Sequence, residues 1–167
     1  ADAGSAPPMS RPVVEPLATG IGSQAVAVVW DGPSPSGSNG SGRAPAGLTL
    51  DLVCKHNSSM PQKGWLSVTV PGAPALWRDL HARFGKLPFS TLFEPAIQYA
   101  ANGYPVSPIV AYYWARSVPI YTNLPGAEYK GWGKTFAPNG HAPRSDEKWT
   151  SNDHAATLRR LAASNSD

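Results

Sequence analysis

A chain of 167 residues and 17.6 kDa has room for one ordinary domain, which at this size buries about 70% of the surface its unfolded form exposes. Gly (16) and Pro (18) together make 34 of the 167 positions and charged residues only 15%, which excludes coiled coils and long uninterrupted helices. Hydrophobic residues reach 41%, with six Trp, six Tyr and four Phe, and the net charge is a modest +3, so the chain does not belong to the disordered class. The sequence pI of about 9.1 admits an acidic ligand, yet the basic residues are scattered and form no stripe, so a nucleic-acid partner is not indicated. Cys54 is the one cysteine, which rules out an internal disulfide, a CxxC metal site and a redox pair. No apolar stretch approaches the roughly 18 residues of a membrane span, and Ala1 to Arg11 lacks the basic-then-apolar order of a secretory signal. The chain begins without Met, which reads as a processed product or a piece of something longer, and secreted, periplasmic and cytoplasmic locations all stay open.

Residues 1–12 are small, polar and Pro-containing and read as a disordered lead-in, with residues 13–164 as the folded segment and 165–167 as a tail. Gln24 to Trp30 is short, apolar and β-branched between Gly22 and Asp31-Gly32-Pro33, the pattern of a largely buried strand. Gly32 to Gly47 is a Gly/Ser/Pro/Asn loop whose single charge is Arg43. A short helix is predicted over Leu48 to Lys55 with Leu48, Leu52 and Val53 on one face, then a polar turn from His56 to Met60 and a weakly alternating strand from Trp65 to Val70. Pro74 opens a helix to Phe84, and a capping box of Thr91 and Glu94 opens another to Asn102-Gly103. Leu76, Leu80, Phe84, Phe93 and Ile97 form the apolar stripes of these two helices and are predicted to be buried. Ser107-Pro108 caps a third helix running to about Tyr113. Pro119 to Arg144 is aromatic and turn-rich, with Pro138-Asn139-Gly140 its clearest turn, and Thr150 with Asp153 makes a second capping box for a helix holding Leu158 and Leu161.

The residues offer no self-contained active site. Neither Ser38 nor Ser41 has Gly both two residues before and two residues after it, as the G-x-S-x-G nucleophile elbow needs, and His56, His81, His141 and His154 lack any zinc-ligand spacing. Gly133-Lys134-Thr135 looks like the end of a phosphate loop, but Glu128 stands where its first glycine belongs. No metal and no cofactor is therefore expected. Cys54 lies in an apolar helical stretch beside Lys55 and His56, where burial would raise the thiol pKa and keep it inert. Asn39-Gly40-Ser41 and Asn57-Ser58-Ser59 are glycosylation sequons, relevant only in a secreted protein. The Tyr/Trp-rich segment 112–134, with Tyr112, Tyr113, Trp114, Arg116, Tyr121, Tyr129, Lys130, Trp132 and Lys134, can either stack on a ligand or pack a core.

Three stretches together carry a resemblance. They are Val13-Val14-Glu15-Pro16 with Gly20-Ile21-Gly22 and the strand to Trp30-Asp31-Gly32; Asn39 to Ala46; and Leu66 to Ala73 continued through Trp77, Leu80, His81, Phe84 to Pro88, Glu94 to Ile97, Ala100 and Gly103 to Ser107. A fourth, from Phe136-Ala137-Pro138-Asn139-Gly140 to Asp153 to Leu158, is looser. They resemble the large subunit of the gamma-glutamyltranspeptidase family, over about residues 12–164. The resemblance implies an α+β segment of the four-layer αββα N-terminal-nucleophile hydrolase fold, mostly its helical layer plus one or two strands. It also implies an autoprocessing precursor whose small subunit opens with a Thr that serves as nucleophile and base together. No threonine of this chain matches that residue, so the nucleophile is expected from the small subunit, and the substrate is a γ-glutamyl or other acyl amide such as glutathione. The family's large subunit grips the substrate carboxylate with an arginine, for which Arg43 is the match here. The usual spacing from the Ala-Pro pair would place that arginine at Ser41; the Gly-Ser-Gly-Arg-Ala-Pro form is similar to a divergent branch that includes acylase-like relatives. Ser41 and Arg43 are thus both candidate substrate-binding residues. Pro33 to Ser38 departs from the family's charged turn and returning strand and is predicted to pair poorly. The rival reading is a catalytically inactive binding or structural protein, or a truncated gene product, that uses segment 112–134 for interactions.

Overall fold

The computed structural model describes residues 2–55 and 57–164. They form two compact units, residues 21–76 in one and residues 2–20 with 77–164 in the other.

The smaller unit is built on a hairpin. Strand β1 (Ala25–Trp30) pairs antiparallel with β2 (Pro35–Gly40) in a register running from Ala25 opposite Gly40 to Trp30 opposite Pro35. The predicted poor pairing of residues 33–38 is thus overturned. Pro35 sits at the first position of its strand, where a missing N–H is tolerated, and Gly32 at φ 113° turns the chain between the strands. The predicted burial of β1 is corrected as well: Val26, Val28 and Trp30 are 70–78% exposed, and only the alternate face, carrying Ala25, Ala27 and Val29, is half-buried. A two-stranded sheet has one face to cover, and the small residues point to it.

Helix α2 (Leu50–Cys54) is capped by Thr49, whose side chain accepts from the Leu52 N–H, and buries Val53. Of the polar turn read from residue 56 to Met60, residue 56 lies outside the described residues, and the chain bends at Ser58 and Ser59. The strand predicted at Trp65 to Val70 is absent; Trp65–Ser67 is a 3-10 turn, because Ser67 Oγ donates back to the Gly64 carbonyl at 2.9 Å and Gly64 holds φ 92°.

In the larger unit, helix α1 (Asp2–Val14) stands where composition reads as a disordered lead-in. Pro7, Pro8 and Pro12 work against a helix, but Met9, Pro12 and Val13 share one face and are buried, with Met9 and Val13 wholly so. Its start is tied down by Asp2, whose carboxylate accepts the backbone N–H groups of Lys86 (3.0 Å) and Leu87 (3.2 Å). The bond from Lys86 is the main cause that holds the Asp2 carboxyl below its usual range. At its end, the buried Tyr104 hydroxyl donates to the Val13 carbonyl at 2.9 Å.

Helix α3 (Ala73–Phe84) follows the predicted span, and α4 (Glu94–Asn102) ends at Gly103 as predicted. Leu76 and Phe93 are buried and Leu80, Phe84 and Ile97 half-buried, so none of the five stripe residues is exposed. The Thr91 capping box does not form; the chain enters α4 through a 3-10 turn, Phe89–Phe93, that buries Leu92 and Phe93. Strands β3 (Tyr104–Pro105) and β4 (Lys148–Trp149) make a short antiparallel pair. Helix α5 (Pro108–Thr122) begins at the predicted Ser107 cap but continues beyond Tyr113, through Pro119. Helix α6 (Lys130–Phe136) precedes the Pro138-Asn139-Gly140 turn, in which the Gly140 N–H reaches the Ala137 carbonyl at 2.9 Å. Helix α7 (Asn152–Ala163) is capped one residue later than predicted, by Ser151 rather than Thr150, and buries Leu158 completely. The core gathers α1, α4, α7 and the 3-10 turn before α4 around Phe93, Ala96, Val106, Trp114 and Leu158.

Candidate functional site

The segment carrying Arg43 is shaped by glycine. A Cβ on Gly72 would overlap the Gly40 carbonyl oxygen, a Cβ on Gly40 would stand 2.6 Å from the Leu76 Cβ, and a Cβ on Gly42 would overlap the Val70 side chain. Residues 40–42 therefore lie flush against residues 70–72, a contact no other residue type allows, which accounts physically for two glycines of Gly40-Ser41-Gly42-Arg43. Asn39 fixes the turn between them: its Oδ1 accepts the Ser41 N–H at 2.9 Å.

Arg43 leaves this clamp exposed, at the wall of an open cleft of about 500 Å³ in the smaller unit. Its apolar lining is Leu48, Met60, Leu66, Val68 and Val70, and the remainder is Gly42, Ala44, Pro45, Ser67 and Thr69. Thus one cation and no carboxylate face the cleft, and among the described residues no acidic group pairs with Arg43. A guanidinium left open beside apolar walls can take an oxyanion bidentately. Ser41, the other candidate, is exposed but does not line the cleft; its N–H is held by Asn39.

The other singled-out residues disperse. Cys54 is exposed, which corrects the expected burial, because α2 covers only Val53 and turns its other side outward. His81 Nε2 lies 2.7 Å from the Leu87 carbonyl and His141 Nδ1 2.9 Å from the Ala142 carbonyl, while His154 sits among Phe136, Trp149 and Ser151; residue 56 is outside the described residues. Among the described residues no three potential ligands come together to hold a metal ion. Nor is any helix of the described residues long and apolar enough to cross a membrane. Segment 112–134 divides in two. Trp114 is wholly buried and donates Nε1–H to the Phe136 carbonyl at 2.7 Å, and Trp132 stacks on Tyr121 at 5.0 Å. Tyr112 and Tyr113 face outward, with the Arg116 guanidinium over the Tyr112 ring. Leu66, Val68 and Val70 alternate in the sequence, but no local signal joins them to Met60 or to Arg43, so the cleft they line was not legible there.

The described fold has close counterparts among solved structures. A cephalosporin acylase from Bacillus halodurans superposes with a TM-score of 0.91 over 98% of this chain at 45% identity, and the chain covers 31% of that one. The Helicobacter pylori gamma-glutamyltranspeptidase shares the fold at a TM-score of 0.84 and 23% identity, over 97% of this chain and 47% of its own. The chain is thus a segment of the αββα N-terminal-nucleophile hydrolase fold, mostly helical layer with the one hairpin.

The Gamma-glutamyltranspeptidase family model matches residues 1–167, and the chain belongs to that family. Among curated relatives, the glutathione hydrolase-like YwrD proenzyme of Bacillus subtilis is 31% identical over 74% of this chain and 23% of its own length. Glutathione hydrolase proenzyme 1 of Schizosaccharomyces pombe is 34% identical over 71% of this chain and 18% of its own. The chain therefore spans about a fifth of these relatives and about a third of the acylase.

Proposed function

We propose that this chain supplies the carboxylate-binding part of an N-terminal-nucleophile amide hydrolase or acyltransferase, with Arg43 as the anchor for the acyl donor. The reading rests on one observation: among the described residues, Arg43 has no acidic partner and the apolar cleft it borders has no acidic lining residue. In this arrangement the guanidinium fixes the acyl group through its free carboxylate, and Ser41, two residues earlier, adjoins the anchor. The nucleophile comes from a small subunit opening with Thr, whose amine takes the hydroxyl proton as the hydroxyl attacks the amide carbonyl. This chain then contributes binding and orientation rather than bond making. Its substrates are γ-glutamyl or related acyl amides, glutathione among them.

The test is kinetic, on the complete precursor. Arg43→Ala removes a charge-assisted bond worth roughly 1.5–3 kcal/mol, so KM for a γ-glutamyl anilide rises about ten- to a hundredfold. An acyl anilide without the carboxylate is affected far less. Equal effects on the two substrates would make Arg43 a solvated loop cation and overturn the reading.

A further inference from the structure

We infer that, among the acyl groups an Arg43 anchor admits, the cleft beside it prefers a long aliphatic one ending in a carboxylate over the five-carbon γ-glutamyl unit with its ammonium group. The inference rests on Arg43 as a carboxylate anchor and adds the shape and charge of the surface beyond it.

Size comes first. The cleft measures about 500 Å³. A water molecule occupies about 30 Å³ of liquid, and a methylene is of similar size, so a five-carbon diacid fills about half of this space or less. A chain of roughly eight to twelve carbons fills it, within the usual range for small-molecule clefts. The wall chemistry agrees. Leu48, Met60, Leu66, Val68 and Val70 surround the space, and Met60, Val68 and Val70 remain 50%, 60% and 44% exposed, so apolar area stays in contact with water until something covers it.

Charge then selects the class of acyl chain. Arg43 is the one ionised group of the lining, and Ser67 and Thr69 are its only hydroxyl side chains. A γ-glutamyl group would bring its ammonium against apolar walls with no carboxylate among the described lining residues to receive it, and losing hydration there without a partner costs free energy. A carboxylate on Arg43 followed by methylenes along Leu66 and Val68 leaves no charge unmatched.

The experiment is calorimetric titration of the purified protein with glutarate, suberate, dodecanedioate and L-glutamate. Each methylene added between five and about ten carbons should tighten binding about two- to fourfold, since each contributes up to about 0.8 kcal/mol when fully buried. L-Glutamate should bind more weakly than glutarate. Arg43→Gln should weaken every diacid at least tenfold while keeping the gain per methylene. Val68→Asn and Met60→Gln, both at exposed positions and both uncharged, should abolish that gain; a circular-dichroism spectrum checks that each variant keeps its helices. Arg43-dependent binding of glutarate and L-glutamate with no gain from length would overturn this inference and leave the carboxylate anchor standing. Binding that tightens with length but is not weakened by Arg43→Gln would overturn the anchor, and this inference with it. Absence of binding by any of the four ligands would also overturn the inference.

Discussion

Replacing Tyr104 by Phe removes one hydroxyl and leaves the ring where it is. That hydroxyl is buried, donates to the Val13 carbonyl at 2.9 Å, and meets α1 in its last turn, where carbonyls have run out of intrahelical donors. Val13 itself is wholly buried, so water does not readily take the vacated place. The cost is that of an orphaned buried acceptor, about 1–3 kcal/mol, against a total of about 5–15 kcal/mol for a domain. At this chain length each kcal/mol moves the melting temperature by about 2–4 °C, which gives a drop of roughly 2–12 °C. Burial pushes the Tyr104 pKa far above its ordinary value, so the donor stays protonated and the loss should be the same at pH 6 and pH 9. The ring contacts with Tyr99 (6.4 Å) and Trp149 (6.0 Å) are retained, which isolates the hydrogen bond. Thermal and urea unfolding of Tyr104→Phe, beside Tyr99→Phe as an exposed control, measures the effect. A loss below about 0.5 kcal/mol, or one equal to the Tyr99 control, would refute the claim that this bond fastens α1 to the core.

Gly42→Ala places a methyl group into the Val70 side chain, and relieving such an overlap costs about 1–3 kcal/mol. It should lower stability and also weaken anion binding at Arg43, both read from a melting curve with and without glutarate; unchanged melting would show that the 40–42 segment does not lie flush against 70–72. His154 has its pKa depressed chiefly by burial, with Asp153 opposing the shift. The folded protein therefore binds fewer protons than the unfolded chain, and the His154 contribution is complete above about pH 6.5 and lost as pH falls below it. The urea midpoint should fall between pH 7 and pH 5 more steeply in the native protein than in His154→Gln, and parallel profiles would contradict the assignment.

Local signals sufficed for helices α3 and α4 and the start of α5, because Pro at a first turn, a four-residue apolar spacing and a Gly stop act within one element. The motif around Arg43 was also legible, through its resemblance to relatives. Helix α1 was not: three prolines argue against it residue by residue, and only the burial of Met9 and Val13 and the Tyr104 bond outweigh them. The β1–β2 hairpin was misread for a similar reason. Ser, Gly and Pro have poor strand propensity, yet a backbone ladder from Gly40 to Pro35 needs donors and acceptors rather than large side chains. The cleft lies furthest from sequence. Arg43 comes before α2 and Met60, Leu66 and Val68 after it, with no local signal joining them, and they meet because Gly40, Gly42 and Gly72 let two stretches of backbone touch. Sequence alone determined which residues carry charge, cap and apolar stripe; tertiary contact decided which of them share a surface, since burial and close approach depend on segments far apart in the chain.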